Sequence, residues 1–180
     1  IRLRLREAGY ELPALPEGES CAVRWLCFSA LLRESNPPAR AAAGHYHSLF
    51  IDGEGRLSSC GYAPDHALLG HGEGVTRLNT PTRLPSSTLG GEHAVSVSVG
   101  ECHSLALTAD SAVWSWGDEA FGCLGHGDQQ NQLLPREIVA FAERHVVAVT
   151  CFSVRFAVGF EDGWCLFVAA QKRAEVVALA

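Results

Sequence analysis

The middle of the chain alternates between small polar and branched apolar side chains, a pattern typical of half-buried β-strands. Residues 94–99 read Ala-Val-Ser-Val-Ser-Val, which predicts a strand because the side chains of a strand point alternately to its two faces. Residues 104–108 and 113–116 predict two more short strands, separated by turn-type residues. A long loop is predicted next, followed by a fourth strand at residues 136–139. The four segments together predict a small β-sheet.

A different period marks the beginning of the chain. Between Cys21 and Glu34, apolar residues follow the helical spacing i, i+3, i+4, i+7 and i+8, starting at Val23. Ser20 is suited to cap this helix, and Asn36-Pro37-Pro38 is suited to end it. The helix is apolar nearly all round, so we expect it to be buried against another element. Residues 1–40 are therefore predicted to form an N-terminal helical and linker region.

A phrase that occurs twice shows that the strand pattern belongs to a repeat. Residues 44–51 read Gly-His-Tyr-His-Ser-Leu-Phe-Ile, and residues 100–107 read Gly-Glu-Cys-His-Ser-Leu-Ala-Leu, an offset of 56 positions. The tetrapeptide Leu-Gly-His-Gly at residues 69–72 returns at residues 124–127. A period of this size predicts a repeat architecture in which each unit packs on the next.

A third copy is faint. Glu161-Asp162-Gly163 matches the turn of the second copy at an offset of 52 positions, and in this register Phe152 replaces the opening Gly and Arg155 replaces the His. The strand-like residues 175–179 are predicted to be the first strand of a further unit. We therefore predict a first repeat at residues 41–93, a second at residues 94–146, and a degenerate partial repeat at residues 147–180.

Composition and charge narrow the class of protein. The 180 residues carry a formal net charge of −6, and 47% of them are apolar, as in ordinary globular proteins. From Gly44 onward, 15 acidic and 8 basic residues disfavour direct binding of nucleic acid and suit a basic protein partner. Seven cysteines without a C-x-x-C pair indicate a reduced intracellular protein, cytoplasmic or nuclear. No membrane span is predicted, and the absence of Met indicates part of a longer chain.

The residues do not form a familiar catalytic or metal-binding motif. Cys102 and His103 are adjacent, and His45 and His47 are two residues apart, but the paired ligand spacing of a structural zinc site is missing. The chain has no G-x-S-x-G elbow, no P-loop and no dinucleotide-binding glycine pattern. We therefore predict no enzymatic activity in this segment, no bound metal and no cofactor.

Short motifs in the second copy point to a family. His-Ser-Leu-Ala-Leu-Thr at residues 103–108, Val-Trp-Ser-Trp-Gly at residues 113–117 and Gly-Cys-Leu-Gly-His-Gly-Asp at residues 122–128 closely resemble repeats of the regulator of chromosome condensation family. The resemblance covers about residues 41–170 and implies an all-β fold of propeller blades, part of a seven-bladed ring. It implies two clear blades, a degenerate third and other propeller blades in the same parent chain, to which the periodicity adds a short N-terminal helix.

The repeated residues are predicted to have structural roles. Repeated glycines are expected where φ is positive or where two backbones approach closely. Trp114 and Trp116 lie on one face of a strand, which predicts packing between blades. His47 and His103 are expected to hydrogen-bond within or between blades, and His71 and His126 are expected to make blade-to-blade contacts. The predicted structural positions are Gly44, His47, Ser48, Gly61, Gly70, His71, Gly72, Gly100, His103, Ser104, Trp116, Gly117, Gly125, His126 and Gly127.

The leading prediction of function is a protein–protein interaction scaffold, because the loops of a propeller carry its function. Two long loops, at residues 72–85 and 128–136, are polar and differ between the copies. Partner contacts are predicted in these loops at Glu73, Thr76, Arg77, Asp128, Gln129, Gln130 and Asn131.

Two alternatives remain open. The founding family member is an exchange factor for a Ran-type GTPase, so the resemblance implies a possible small-GTPase partner and exchange by loops that wedge open a nucleotide site. Some large relatives carry a ubiquitin-ligase domain, which implies a substrate-recognition role and a ubiquitin-ligase component as partner. The predicted helix weakly resembles adaptor helices such as the F-box, and a cap on an exposed blade fits it equally well. Light sensing, found in one plant branch of the family, is not predicted, because the Gly-x-x-His stretches contain no Trp.

Overall fold

The computed structural model describes residues 40–63, 67–119, 122–152, 155–160, 163–170 and 173–179. The helix predicted between Cys21 and Glu34 lies outside these residues and stays a prediction. Within the described ranges the chain forms three four-stranded antiparallel sheets, which confirms the predicted all-β fold. None of the described residues belongs to a helix that is long and apolar enough to cross a membrane.

In each sheet, strands that are neighbours in the chain are also hydrogen-bonded neighbours. Sheet 1 consists of β1 (Ala41–Ala43), β2 (His47–Ile51), β3 (Leu57–Tyr62) and β4 (Arg77–Arg83). Sheet 2 consists of β5 (Ala94–Val99), β6 (His103–Thr108), β7 (Val113–Gly117) and β8 (Gln132–Glu137). Sheet 3 consists of β9 (Val146–Phe152), β10 (Arg155–Phe160), β11 (Gly163–Ala170) and β12 (Arg173–Leu179). Short 3₁₀ turns at Ser86–Leu89 and Val139–Phe141 lie in the connections between sheets.

The observed strands correct the sequence prediction at three places. β4 (Arg77–Arg83) lies within residues 72–85, which were predicted as a loop, because its polar sequence gives no apolar alternation. β8 ends at Glu137 and a 3₁₀ turn begins at Val139, so the strand predicted at residues 136–139 was placed too late. This strand is only partly buried, and it therefore lacks the alternation that marked the others. Residues 175–179 lie in β12, which pairs with β11 and completes sheet 3. Their prediction as the first strand of a further unit is wrong. The sequence shows that the segment is a strand, but only its pairing with β11 shows to which sheet it belongs.

The sheets stack as propeller blades do. The first strands of successive sheets approach one another, β1 against β5 and β5 against β9, while β4 and β8 lie on the outer side. β4 exposes most of its residues, and each of these outer strands contains a proline, Pro81 in β4 and Pro135 in β8. Stacked four-stranded antiparallel sheets with adjacent inner strands are the architecture of β-propeller blades.

β6 shows why one blade depends on its neighbours. All six of its residues are buried. Leu105 and Leu107 belong to an apolar cluster shared with sheet 3, whereas Ala106 belongs to a cluster shared with sheet 1. Because side chains alternate along a strand, this one strand supplies both cores. Each large apolar side chain buried in this way contributes on the order of 1.5–3 kcal/mol, so sheet 2 depends on packing against both neighbours.

Sheets 1 and 2 share the same register at the end of their third strands. His47 pairs with Gly61 across β2 and β3, and His103 pairs with Gly117 across β6 and β7. Both glycines have a φ of 127°, and a Cβ on either would collide with the carbonyl oxygen of the residue before the paired histidine. The pairing of the third and fourth strands shifts at the same glycines. Glycine is therefore required here by both backbone conformation and space.

Trp116 joins sheet 2 to the long loop of sheet 1. Its side chain is fully buried, and its Nε1 donates a hydrogen bond of 3.0 Å to the carbonyl oxygen of Leu68. Gly70 lies against the ring, and a Cβ on this glycine would be 2.9 Å from Nε1 of Trp116. The indole thus packs between the two sheets and leaves no room for a side chain at position 70.

Replacing Gly70 tests this packing. We expect Gly70→Ala to lower the free energy of unfolding by about 2–4 kcal/mol, because alanine is strained at positive φ and forces the indole to shift. Gly74→Ala is the matched control, since Gly74 has a φ of 80° against 74° for Gly70, but a Cβ on Gly74 would meet no atom within 4 Å. We expect the control to cost about 1 kcal/mol. Urea unfolding of the full protein measures both, and equal losses would contradict the role given to Trp116.

Candidate functional site

The junction between sheets 1 and 2 is fastened by a histidine and a serine from the repeated phrase. His47, the first residue of β2, is 3% exposed, and its Nε2 lies 2.5 Å from Oγ of Ser104 in β6. The phrase therefore brings the histidine of one sheet to the serine of the next. A buried polar group without a partner costs about 1–3 kcal/mol, and this hydrogen bond removes that cost at Nε2 and at the Ser104 hydroxyl, while Nδ1 of His47 has no hydrogen-bond partner among the described residues. His47 thus makes a hydrogen bond between two sheets, whereas the sequence analysis had left open whether this bond lies within a blade or between blades.

Removal of the serine hydroxyl should expose the cost of leaving His47 unpaired. We expect Ser104→Ala to lower the free energy of unfolding by about 1–3 kcal/mol. Ser48→Ala is the matched control, because Ser48 follows the histidine of β2 in the same way but is only half-buried. We expect it to cost less than about 0.5 kcal/mol. Urea unfolding of the two variants gives the comparison, and a control that loses as much as Ser104→Ala would refute the assignment.

Burial also shifts the protonation of His47. Desolvation, together with the smaller effect of the nearby His103, lowers its pKa from 6.5 to about 4. A histidine whose folded pKa is depressed binds a proton more readily in the unfolded chain. The stability that it contributes is complete above the unfolded pKa and is lost as the pH falls from about 6.5 towards 4.

This shift predicts a pH dependence that can be assigned to one residue. Between about pH 7.5 and about pH 5, we expect the wild-type protein to lose about 2 kcal/mol more stability than the variant His47→Gln, which cannot titrate there. Urea unfolding at the two pH values measures the difference, and comparison with the variant cancels the other titrating groups. If the two proteins lose stability in parallel, His47 is not the buried neutral histidine described here.

A second pair of histidines organises the long loops. Ser59 Oγ donates a hydrogen bond of 2.8 Å to the carbonyl oxygen of Leu69, and Nε2 of His71 lies 3.1 Å from the same hydroxyl. The same arrangement recurs in sheet 2, with distances of 2.7 and 2.9 Å, at Ser115, Leu124 and His126. In both sheets the loop folds back onto the third strand of its own sheet.

These contacts correct the prediction for His71 and His126. Both were expected to make blade-to-blade contacts, yet each hydrogen-bonds to a serine of its own sheet. The reason is the return of the long loop, which places the Leu-Gly-His-Gly turn beside the strand that precedes it. A link between sheets does occur nearby, where the backbone N–H of Gly72 donates a hydrogen bond of 3.1 Å to the carbonyl oxygen of Leu133.

The junction between sheets 2 and 3 is built differently. Phe156 of β10 stands where Ser104 stands in β6, since Phe156 pairs with Cys151 as Ser104 pairs with Val99. His103 therefore meets an aromatic ring, with the ring centroids 6.3 Å apart, instead of a hydroxyl. His103 is fully buried, and neither of its ring nitrogens makes a hydrogen bond of normal geometry. The repeated histidine thus has no serine partner at this junction.

Thiols surround the imidazole of His103. Cys102 precedes it in the chain, Cys123 lies in the long loop of sheet 2, and Cys151 belongs to β9 of the next sheet. The sulfur atoms of Cys102 and Cys123 and a ring nitrogen of His103 lie within 4.8 Å of one another. Cys151 is close enough to His103 to interact with it electrostatically. Cys123 also donates a hydrogen bond of 2.9 Å to the carbonyl oxygen of Asp118.

The thiols and the imidazole shift one another's protonation. Hydrogen bonding with Cys123 and the proximity of His103 lower the pKa of the Cys102 thiol to about 5, although burial opposes this change. Burial by itself lowers the pKa of His103, but Cys151 and Cys102 outweigh burial and raise this pKa to about 10. Hydrogen bonding with Cys102 and burial raise the pKa of Cys123. Burial likewise raises the pKa of the neighbouring Glu119 to about 7.

The residues predicted to contact partners lie at one end of the sheets. We name this the long-loop end, and it comprises residues 44–46, 62–63, 67–77, 100–102, 118–119 and 122–131, including the strand ends Tyr62 and Arg77. Glu73 lies exposed in the loop of sheet 1, with the half-buried Thr76 beside β4, and Gln129 and Gln130 lie exposed in the loop of sheet 2. Arg77 was predicted as a loop residue but is the first residue of β4, because that strand begins earlier than its polar sequence suggests.

Two of the predicted contact residues have partners within sheet 2 and its own long loop. Asp128 pairs with Arg136 at 2.7 Å and accepts a hydrogen bond of 3.1 Å from the backbone N–H of Gln130. Asn131 accepts a hydrogen bond of 2.9 Å from the backbone N–H of Glu119. These contacts give Asp128 and Asn131 a role in shaping the loop.

Two exposed tyrosines at the long-loop end were missed by the sequence reasoning. Tyr46 is 43% exposed and Tyr62 is 47% exposed, and the backbone N–H of Tyr62 donates a hydrogen bond of 2.9 Å to the carbonyl oxygen of Tyr46. The equivalent positions in sheet 2 are Cys102 and Asp118, which make the same backbone bond at 2.8 Å. The sequence did carry a signal for this surface, since a large aromatic residue stands in the first copy where the second copy has a different residue.

Three stacked antiparallel sheets, joined through a repeated Gly-x-x-His-Ser phrase, define the chain as a segment of a β-propeller. Family models of the regulator of chromosome condensation (RCC1) repeat match residues 94–123 and 110–151. The chain therefore carries RCC1 repeats over these residues, which confirms the resemblance found in the sequence.

The proteins that the chain resembles are larger than the chain itself. E3 ubiquitin-protein ligase HERC2 of Homo sapiens is 34% identical over 113 residues, which is 62% of this chain and 2% of that protein. The Protein RCC2 homolog of Danio rerio is 36% identical over 105 residues, 58% of this chain and 20% of that protein. The crystal structure of human WBSCR16 matches with a TM-score of 0.69 and 23% identity, over 79% of this chain and 37% of that chain. Yeast RCC1 (Prp20) bound to Kap60 matches with a TM-score of 0.60 and 18% identity, over 75% of this chain and 36% of that chain.

Proposed function

We propose that the chain is a protein–protein interaction scaffold that binds its partner through the long-loop end, with Tyr46 and Tyr62 as the main contacts. The observation that carries this proposal is the exposure of two large aromatic side chains on adjacent backbone segments at the end where the variable loops lie. Exposed apolar surface grouped in one place is typical of interaction sites.

Tyrosine is well suited to this role. It buries a large apolar area, has few rotatable bonds to immobilise, and offers a hydroxyl for a hydrogen bond. Tyr and Trp are enriched among the few interface residues that carry most of the binding energy. His45 extends the aromatic surface, since its ring centroid lies 4.5 Å from that of Tyr46. The variable loop residue Glu73 would then belong to the polar rim of such an interface.

The charge of this end favours a basic partner. Glu73, Glu101 and Asp118 lie at the long-loop end, and the chain as a whole carries a net charge of −6. Opposite charges on two surfaces accelerate their encounter and select among partners more than they add affinity. The same excess of acidic residues repels the phosphates of nucleic acid. The absence of direct nucleic-acid binding remains a prediction.

The finer alternatives rest on relatives and not on this chain's own geometry. A yeast relative, RCC1 (Prp20), is bound to Kap60 in its crystal structure, and another relative is named an E3 ubiquitin-protein ligase. With the resemblance found in the sequence, a small GTPase and a ubiquitin-ligase component are the partner classes to test first. Exchange activity and substrate recognition for a ligase stay predictions, as does the absence of enzymatic activity in this segment.

Site-specific crosslinking can test the proposed surface. A photo-crosslinking amino acid placed at position 46 or 62 of the full protein, expressed in its native cells, should form adducts with a partner protein that mass spectrometry identifies. Position 139 is the control, because Val139 is 76% exposed but lies in the connection at the opposite end of the sheets. We expect Tyr46→Ser combined with Tyr62→Ser to weaken binding of that partner by at least about tenfold, and Val139→Ser to leave it unchanged.

The identity of the crosslinked protein also decides between the alternatives. A GTPase calls for a nucleotide-exchange assay with and without the tyrosine variants, and a ligase component calls for a ubiquitination assay. Adducts that form equally at position 139, or binding that survives loss of both tyrosines, would overturn the proposed surface.

A further inference from the structure

The starting point is the buried imidazole at the junction between sheets 2 and 3. His47 satisfies its Nε2 with a serine of the next sheet, but Phe156 occupies the equivalent position opposite His103. His103 is 0% exposed, and both of its ring nitrogens lack a hydrogen bond of normal geometry. Buried polar side chains are nearly always paired, so this histidine requires an explanation.

The groups around His103 share one chemistry. The sulfur atoms of Cys102 and Cys123 and a ring nitrogen of His103 lie within 4.8 Å of one another. They come from the residue before β6, the long loop after β7, and the first position of β6. Cys151, in β9 of the adjacent sheet, also lies next to His103. Thiolate sulfur and imidazole nitrogen are the donors that zinc prefers in closed structural sites.

We propose that Cys102, His103 and Cys123, completed by Cys151 from the next sheet, bind one zinc ion at the junction between sheets 2 and 3. Four ligands of the Cys₃His type satisfy the tetrahedral coordination of structural zinc. Zinc–sulfur bonds of about 2.3 Å and a zinc–nitrogen bond of about 2.0 Å place neighbouring ligand atoms about 3.5–3.8 Å apart. The ligand atoms of Cys102, His103 and Cys123, which lie within 4.8 Å of one another, therefore need to approach by about 1 Å, within the reach of side-chain rotation. The thiol of Cys151 lies outside this group of three, beside His103, and must turn towards the ion to complete the site.

The two cysteines of the proposed site occur in sheet 2 and not at the equivalent positions of sheet 1. Cys102 stands where sheet 1 has Tyr46, and Cys123 stands where sheet 1 has Leu68. Phe156 removes the serine that would otherwise engage His103. The spacing along the chain predicts no zinc site, because the ligands come from two loops and two sheets and form no C-x₂₋₄-C pair. Only the fold assembles them.

A zinc ion at this point would act on structure. It would tie the loop before β6 to the long loop after β7 and fasten both to β9. At the first junction a hydrogen bond between His47 and Ser104 provides such a link, and the ion would supply one where that bond is missing. Structural zinc contributes its binding free energy to the stability of the folded state.

Metal content and cobalt spectroscopy of the full protein test the proposal. Purified without chelator, the wild-type protein should contain one zinc ion more per chain than Cys102→Ser or Cys123→Ser. Replacement of zinc by Co²⁺ should give thiolate-to-cobalt charge-transfer absorption and the visible bands of a tetrahedral site. We expect Cys102→Ser and Cys123→Ser each to weaken Co²⁺ binding by at least about 100-fold, and Cys151→Ser by at least about tenfold.

Cys60→Ser is the matched control, because Cys60 is a part-buried free cysteine in β3 of sheet 1, outside the cluster. It should leave metal content and spectrum unchanged. X-ray absorption of the zinc-loaded wild-type protein keeps the test independent of variants that fail to fold, and it should show sulfur donors with one nitrogen donor. Absence of the extra ion, oxygen-dominated coordination, or a disulfide between Cys102 and Cys123 in the protein as isolated would each overturn the proposal.

Discussion

The packing of one sheet face against the next is the interaction on which the rest of this structure depends. β6 contributes to two apolar clusters at once, so both faces of sheet 2 are buried against neighbouring sheets along this strand. Packing alone does not fix how two sheets are aligned, because apolar contact is not directional. The bond between His47 and Ser104 and the bond between Trp116 and Leu68 supply that direction at the first junction.

The two junctions of the chain solve the same problem with different side chains. Between sheets 1 and 2, a neutral buried histidine meets a hydroxyl. Between sheets 2 and 3, Phe156 shields the corresponding histidine, and sulfur is the polar neighbour that remains. A single change from serine to phenylalanine in the repeated phrase thus alters the chemistry of a whole interface while the strand register stays the same.

Much of the fold could be predicted from the sequence, because strand alternation and glycine placement are local properties. β5, β6 and β7 follow the apolar pattern, and Gly61 and Gly117 mark the bends. Contacts made by loop return could not be predicted, which is why the partners of His71 and His126 were assigned to the wrong sheet. The grouping of Cys102, His103 and Cys123 depends on the closure of two loops and was equally hidden. The exposed Tyr46 and Tyr62 were visible in the sequence, but only their solvent exposure gives them meaning.

The prolines of the outer strands have a consequence for how the protein behaves among copies of itself. An outer strand offers unpaired backbone groups that another chain can extend into a larger sheet, which is a common route to aggregation. Pro81 in β4 and Pro135 in β8 each remove one backbone donor along that edge. β4 also begins and ends with an arginine, and Arg136 follows Pro135 in β8. A repeat protein presents one such rim for every blade, so a weakness there would be multiplied. Proline at the rim of each of these two blades keeps sheet growth confined to the blade itself.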